Sequence, residues 1–170
     1  MKSALVLGGG SCLGQRIVHK FTTSTPIWKV YNLDYRINPE AYDNFDFKND
    51  FSQINIPEIS KKVNRKYDCI INASSSYSKC ELNNNNIVQL LQNKNDRDLN
   101  SCLMAAHFAQ KYLNEKGLLV FFGSENRTKK THSNFIVDNI TKESVSYFTE
   151  LLVKNPNELP LNAKLITFLM

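Results

Sequence analysis

Apolar residues in this chain fall in short runs that alternate with helical stripes. Ala4-Leu5-Val6-Leu7 is a short apolar run bounded by glycine, the pattern of a buried strand. Leu13, Ile17, Val18 and Phe21 then share one helical face, with Arg16 and Lys20 off it. Trp28–Leu33 predicts the second strand, and Phe45 and Phe47 alternate with polar residues as in a strand with one buried face. Pro57–Val63 predicts a helix with Pro in its first turn and Ile59 and Val63 inward. Tyr67–Asn72 is the next strand, followed by the small residues Ala73-Ser74-Ser75-Ser76. Asn83–Asn86 reads as a projecting loop, and Ile87–Leu91 as a short helix.

The spacing predicts a helix over Asp98–Leu113, begun by Asp98, with Leu99, Leu103, Ala106 and Leu113 in register. A second apolar set, Met104, Phe108 and Tyr112, widens its hydrophobic face. Leu118–Phe122 follows Gly117 as a strand. Val137–Val153 is a further helix, with Ile140, Val145, Phe148, Leu151 and Leu152 inward, and Leu165–Met170 is the last strand. Strands and helices alternate throughout. Crossovers of this length force parallel neighbours, so residues 1–170 predict one domain: an α/β doubly wound parallel sheet, Rossmann-like, with helices on both faces and strand order 3-2-1-4-5-6. In such a sheet ligands sit outside the carboxyl ends of the strands, near the switch between the first and fourth.

The chemistry concentrates at those ends. Gly8-Gly9-Gly10-Ser11-Cys12-Leu13-Gly14 joins the first strand to the first helix, and Asp34 stands twenty positions after Gly14 at the tip of the second strand. Glycines let the backbone turn sharply and approach a ligand closely, and a helix start suits a pyrophosphate. An acid on the next strand suits ribose hydroxyls and repels a 2′-phosphate, favouring NAD(H) over NADP(H), a preference that Arg36 softens. G-x-G-x-x-G lies on Gly9, Ser11 and Gly14, and G-x-x-x-G-x-G on Gly8, Cys12 and Gly14; each has one glycine replaced by a small residue. A tight turn with no ligand is the plainer alternative.

Composition narrows the classes further. The chain is 42% hydrophobic and 22% charged, as in globular proteins. The net charge of +5 is spread out, and Lys61-Lys62 and Arg127–Lys130 read as solvated faces, not as a nucleic-acid surface. Cys12, Cys69, Cys80 and Cys102 lie far apart with no C-x-x-C, which points to a reducing, cytoplasmic setting and no metal site. Cys69 and Cys102 read as buried small hydrophobes. No stretch reaches membrane-spanning length, and Met1 leaves no room for a signal peptide before the first strand.

Leu5–Phe21 (LVLGGGSCLGQRIVHKF), Lys111–Ser124 (KYLNEKGLLVFFGS) and Lys142–Leu152 (KESVSYFTELL) resemble the short-chain dehydrogenase/reductase family, and within it the dihydropteridine reductase type. The resemblance implies a nicotinamide dinucleotide, NADH by preference, at Gly8, Gly9, Ser11, Cys12, Leu13, Gly14 and Asp34, with further contacts from Ser74 and Ser75. It places Tyr77 near a pteridine-like substrate and Ser124 at the family's serine. The family's Tyr-x-x-x-Lys pair moves a proton and holds the nicotinamide ribose. Lys142 matches the lysine, but Asp138 stands where the Tyr belongs, and Tyr147 is on the wrong side. A carboxyl with an ordinary pKa near about 4 has no proton to donate at neutral pH. The family's sheet also continues to a seventh strand, whereas Met170 follows the sixth. The family's dimer implies a homodimer through helices 98–113 and 137–153.

Three readings follow. One is an NAD(H)-binding protein of this type with impaired or lost catalysis. The second is an active NADH-dependent reductase acting on a quinonoid dihydropteridine, a substrate electron-poor enough to take hydride with little acid help. The third is an interaction module that binds no nucleotide.

Overall fold

The computed structural model describes residues 1–46, 55–74, 80–81, 83–123 and 135–169. Six strands form one sheet: β1 (Ser3–Leu7), β2 (Lys29–Leu33), β3 (Asp43–Phe45), β4 (Tyr67–Asn72), β5 (Leu113–Gly123) and β6 (Lys164–Leu169). Their order is β3-β2-β1-β4-β5-β6 and every pairing is parallel, as the alternation of strands and helices predicts. Four helices connect them: α1 (Cys12–Thr22), α2 (Ile56–Lys62), α3 (Ile87–Tyr112) and α4 (Ile136–Lys154).

The inner strands read as unbroken apolar runs because both faces of the sheet are covered. Leu5 and Leu7 of β1 face a core shared with Ile59 of α2, Phe108 of α3 and Leu152 of α4. Ala4 and Val6 face the opposite core, closed by Val18, Leu13, Ile17 and Phe21 of α1. Local signals fix the helix starts. Ser11 caps α1 by accepting the Gly14 N–H at 3.0 Å, and Asn55 caps α2 by accepting the Glu58 N–H at 3.2 Å. Ile59 and Val63 are buried, as their spacing requires. Phe45 is buried and stacks on Tyr31 at 5.8 Å, whereas Phe47 lies outside the described residues.

Three expectations need correction. First, Asp98 does not begin a helix, and Ile87–Leu91 is not a separate one. Both belong to α3, a single helix of 26 residues. The polar stretch Gln92–Arg97 breaks the apolar stripe because residues it turns inward bond to α4 instead of entering an oily core: Lys94 is buried and Asn95 accepts the Thr141 hydroxyl at 3.0 Å. Second, Leu113 is already strand. β5 starts there, slips register against β4 between Tyr67 and Cys69, and bends at Lys116, whose φ is 59°. Third, the inward faces of α3 and α4 are narrower than predicted. Met104 and Phe108 are core and Leu103 is exposed; Val145 and Leu152 are buried, but Ile140 and Leu151 are exposed.

Candidate functional site

The glycine turn knits three strand ends together. Gly8 has φ +79°, and a Cβ on it would lie 2.6 Å from the Ser74 backbone nitrogen and from Ser74 Oγ. Its N–H donates to Leu33 O at 3.0 Å and its carbonyl accepts the Ser11 N–H at 3.0 Å. Ser11 Oγ also donates to Ala73 O at 3.2 Å, so the α1 cap reaches the end of β4. A Cβ on Gly14 would stand 2.1 Å from Gly8 O, which shows how closely the helix start lies on the turn. The N–H groups of Cys12 and Leu13, in the first turn of α1, have no intrahelical acceptor. Cys12 is exposed and Leu13 packs against the α1-side core. The position where the motif trades a glycine for cysteine therefore faces outward, beside those N–H groups.

Asp34 closes the turn from the β2 side. Its Oδ2 accepts the Gly10 N–H at 2.9 Å, its Oδ1 accepts the Arg36 N–H at 3.2 Å, and the residue is 5% exposed. Arg36 lies against the turn, since a Cβ on Gly10 would meet Arg36 Cβ at 2.5 Å. Three asparagines that the sequence reading passed over hold this loop. Asn32 Nδ2 donates to Arg36 O and to Asn44 Oδ1, both at 2.8 Å. Asn38 Nδ2 donates to Gly9 O at 2.8 Å, and its own N–H donates to Asn44 Oδ1 at 2.8 Å. Asn32 Oδ1 is a buried acceptor with no hydrogen-bond partner among the described residues, and a Cβ on Gly9 would come within 2.3 Å of it. The only sequence signal for this set is three asparagines six residues apart.

On the other side, β4 ends in Asn72, whose Oδ1 accepts the Ser74 N–H at 3.1 Å. Its Nδ2 donates to Ser101 Oγ at 2.9 Å and to Cys102 Sγ at 3.0 Å, tying β4 to α3. Burial pushes the Cys102 thiol up to about 12, and the Cys69 thiol likewise, so neither is a nucleophile at neutral pH. Ser75, Tyr77 and Ser124 lie outside the described residues.

Asp138 and Lys142 stand on α4 in a charge cluster that, among the described residues, also holds Lys94 and Asp98. Lys94 Nζ donates to Asp98 Oδ2 at 2.6 Å. The same ammonium lies 2.8 Å from Asp138 Oδ1, an ion contact whose angles are poor for a hydrogen bond. Asp138 Oδ2 takes the ammonium of Lys142. The side chains of Lys94 and Asp138 are 1% and 3% exposed, while that of Lys142 is 34% exposed. Lys142 thus gives the cluster its most open ammonium. The Asp138 carboxylate thus lies between two ammonium groups. Tyr147 is on the exposed side of α4. Because α3 follows β4 and α4 follows β5, the cluster lies at the same sheet end as the glycine turn. Two strand spacings, about 10 Å, separate β1 from β5.

The turn fits the diphosphate end of a dinucleotide: its glycines admit no Cβ and the first N–H groups of its helix have no intrahelical acceptor. Among the described residues no group of three His, Cys, Asp or Glu side chains could hold a metal ion, and no helix is long and apolar enough to cross a membrane.

No protein-family model matches the sequence, and no curated protein matches it. Solved structures do match. A short-chain dehydrogenase family protein from Francisella tularensis superposes with a TM-score of 0.80, covering 98% of this chain and 68% of its own, at 19% identity. The short-chain dehydrogenase/reductase from Serratia marcescens gives 0.76, covering 98% and 72%, at 14% identity. A small-chain dehydrogenase gives 0.68, covering 95% and 72%, at 18% identity. At these identities the likeness is one of fold, and the fold of this chain is that of the short-chain dehydrogenases.

Proposed function

We propose that this chain binds a nicotinamide dinucleotide, NAD(H) in preference to NADP(H), and has impaired or lost reductase chemistry. The observation that carries the reading is Asp138. It occupies the place of the proton-donating Tyr, one helical turn before Lys142, and is buried between two lysines. The phenol that would hand a proton to a substrate is replaced there by a carboxyl on a shorter side chain.

The adenosine diphosphate half sits on the Gly8–Gly14 turn, with the Cys12 and Leu13 N–H groups toward the phosphates. Asp34 faces the adenosine ribose with the lone pairs that Gly10 and Arg36 leave free. Ser74 borders the turn at Gly8. Lys142 holds the nicotinamide ribose. A nicotinamide held there would supply hydride chemistry, and the part of this chain's residues would be to bind and orient it. A homodimer through α3 and α4 accounts for exposed Leu103, Ile140 and Leu151 on those helices.

The test is calorimetric titration with NADH and NADPH, followed by NADH oxidation assays with quinonoid dihydropteridine. Tighter binding of NADH with no turnover is expected. Indifference to both dinucleotides refutes the reading and leaves a nucleotide-free interaction module. Steady turnover refutes the loss of chemistry. It would favour the second reading, an active dihydropteridine reductase-type enzyme, for which the partly open Lys142 is the supporting observation.

A further inference from the structure

We propose that Lys94 is a positioning residue for the nicotinamide end of the site, acting through Asp138 on the ammonium of Lys142. The inference rests on the dinucleotide reading above and adds a residue from a different helix to it.

A lysine on α3 with its side chain 1% exposed needs an explanation. Desolvating an ammonium is costly, and replacing a buried ion pair with apolar side chains is often neutral or stabilising. Clamping α3 to α4 therefore does not by itself call for a lysine. What the lysine does is divide the Asp138 carboxylate. Oδ1 faces Lys94 at 2.8 Å and Oδ2 faces Lys142, so each oxygen has its own cation. With Oδ1 engaged, the carboxylate is fixed in rotation, and Lys142 meets a single oxygen in one orientation.

Lys94 is itself anchored. Asp98, one turn along α3, accepts its ammonium at 2.6 Å. One residue on from Lys94, Asn95 accepts the Thr141 hydroxyl at 3.0 Å, and Thr141 directly precedes Lys142. That bond sets the level of α3 against α4 and keeps Lys94 opposite Asp138. An unpinned surface lysine carries substantial rotamer entropy. Lys142, the partly open member of the cluster, is pinned from below before any ligand arrives, so a ribose finds its donor already oriented.

The experiment is calorimetric titration of the whole chain with two probes: NADH, which spans both halves of the site, and ADP, which takes only the adenosine half. Lys94→Met and Asp138→Asn are each expected to weaken NADH by about tenfold, the value of one charge-assisted hydrogen bond, as Lys142→Met does. ADP affinity in Lys94→Met is expected to be unchanged. Lys94→Met added to Lys142→Met is expected to cost nothing more, and Lys94→Arg to recover part of the loss. Equal weakening of NADH and ADP by Lys94→Met marks a structural role and overturns the proposal, as do additive losses in the double variant. Asp138→Asn keeps the test decisive if Lys94→Met, which leaves two acids side by side, fails to fold. Unchanged NADH affinity in Asp138→Asn overturns the proposal. ADP binding together with unchanged NADH affinity in Lys142→Met removes the role of Lys142 and this inference with it. Failure of the unaltered protein to bind either probe overturns the dinucleotide reading itself.

Discussion

Gly14→Ala sets helix propensity directly against steric fit. Gly14 lies inside α1, where alanine is favoured over glycine by about 1 kcal/mol. The added Cβ, however, would lie 2.1 Å from Gly8 O, 2.6 Å from Gly9 Cα and 2.8 Å from Gly8 C. All three are backbone atoms, so no side chain can swing aside and the turn itself must move by an ångström or so. Moving it breaks the Ser11 N–H bond to Gly8 O, worth about 1 kcal/mol, and strains the Ser11 cap, worth about 1 kcal/mol. Overpacking adds about 2 kcal/mol. The net loss after the propensity gain is about 3 kcal/mol, or a fall in Tm of roughly 6–12 °C for a domain this size. Thermal unfolding followed by circular dichroism measures it, with Arg16→Ala on the exposed face of the same helix as control, expected within about 0.5 kcal/mol. A Gly14→Ala protein as stable as the unaltered one, or more so, would show that the turn yields freely and that its closeness to α1 is not a constraint.

Other expectations are as direct. Asp34→Asn keeps an acceptor for the Gly10 N–H but removes the charge, so the ratio of NADPH to NADH affinity should rise roughly tenfold, as for about 1.4 kcal/mol of relieved repulsion; an unchanged ratio in calorimetry means Asp34 does not face the 2′ position. The unaltered chain should sediment as a dimer at micromolar concentration and Leu103→Asp as a monomer with Tm within about 2 °C; a Leu103→Asp dimer would place the interface elsewhere. The Cys69 and Cys102 thiols are raised by burial from 9.0 to about 12 in the folded state. Their contribution to stability is therefore complete below about pH 9 and declines as pH rises toward 12, by about 1.4 kcal/mol per group per pH unit. Urea midpoints should fall between pH 8 and pH 10.5, and less steeply in a Cys69→Ala/Cys102→Ala variant; equal slopes would contradict this.

The fold was legible because each inner strand is sandwiched between two cores and so carries an unbroken apolar run, as in Leu5–Leu7 and Cys69–Ile71. Strand order followed from crossover length and the glycine turn. Helix faces were harder to read. Leu103, Ile140 and Leu151 are apolar and correctly spaced, yet exposed. Periodicity finds an apolar stripe but does not say whether a sheet or a second molecule covers it. Asn32, Asn38 and Asn44 were invisible for the converse reason. Their work is to satisfy loop backbone at Gly9, Arg36 and Asn38, and that depends on a fold no local pattern encodes.

The charge cluster did leave a trace, and the trace bears on its purpose. Lys94 and Asp98 are four apart on α3, and Asp138 and Lys142 are four apart on α4, in opposite order. Within one helix the acid-first order is the more favourable, because it agrees with the helix dipole. The α4 pair obeys that preference and the α3 pair violates it. A pair serving only its own helix gains nothing from the reversal. Both helices link parallel strands, so they run in the same direction, and reversed order is what sets Lys94 level with Asp138. The order of charges on α3 is thus explained by α4, and the stretch that reads as a break in the sequence is where α3 bonds to α4.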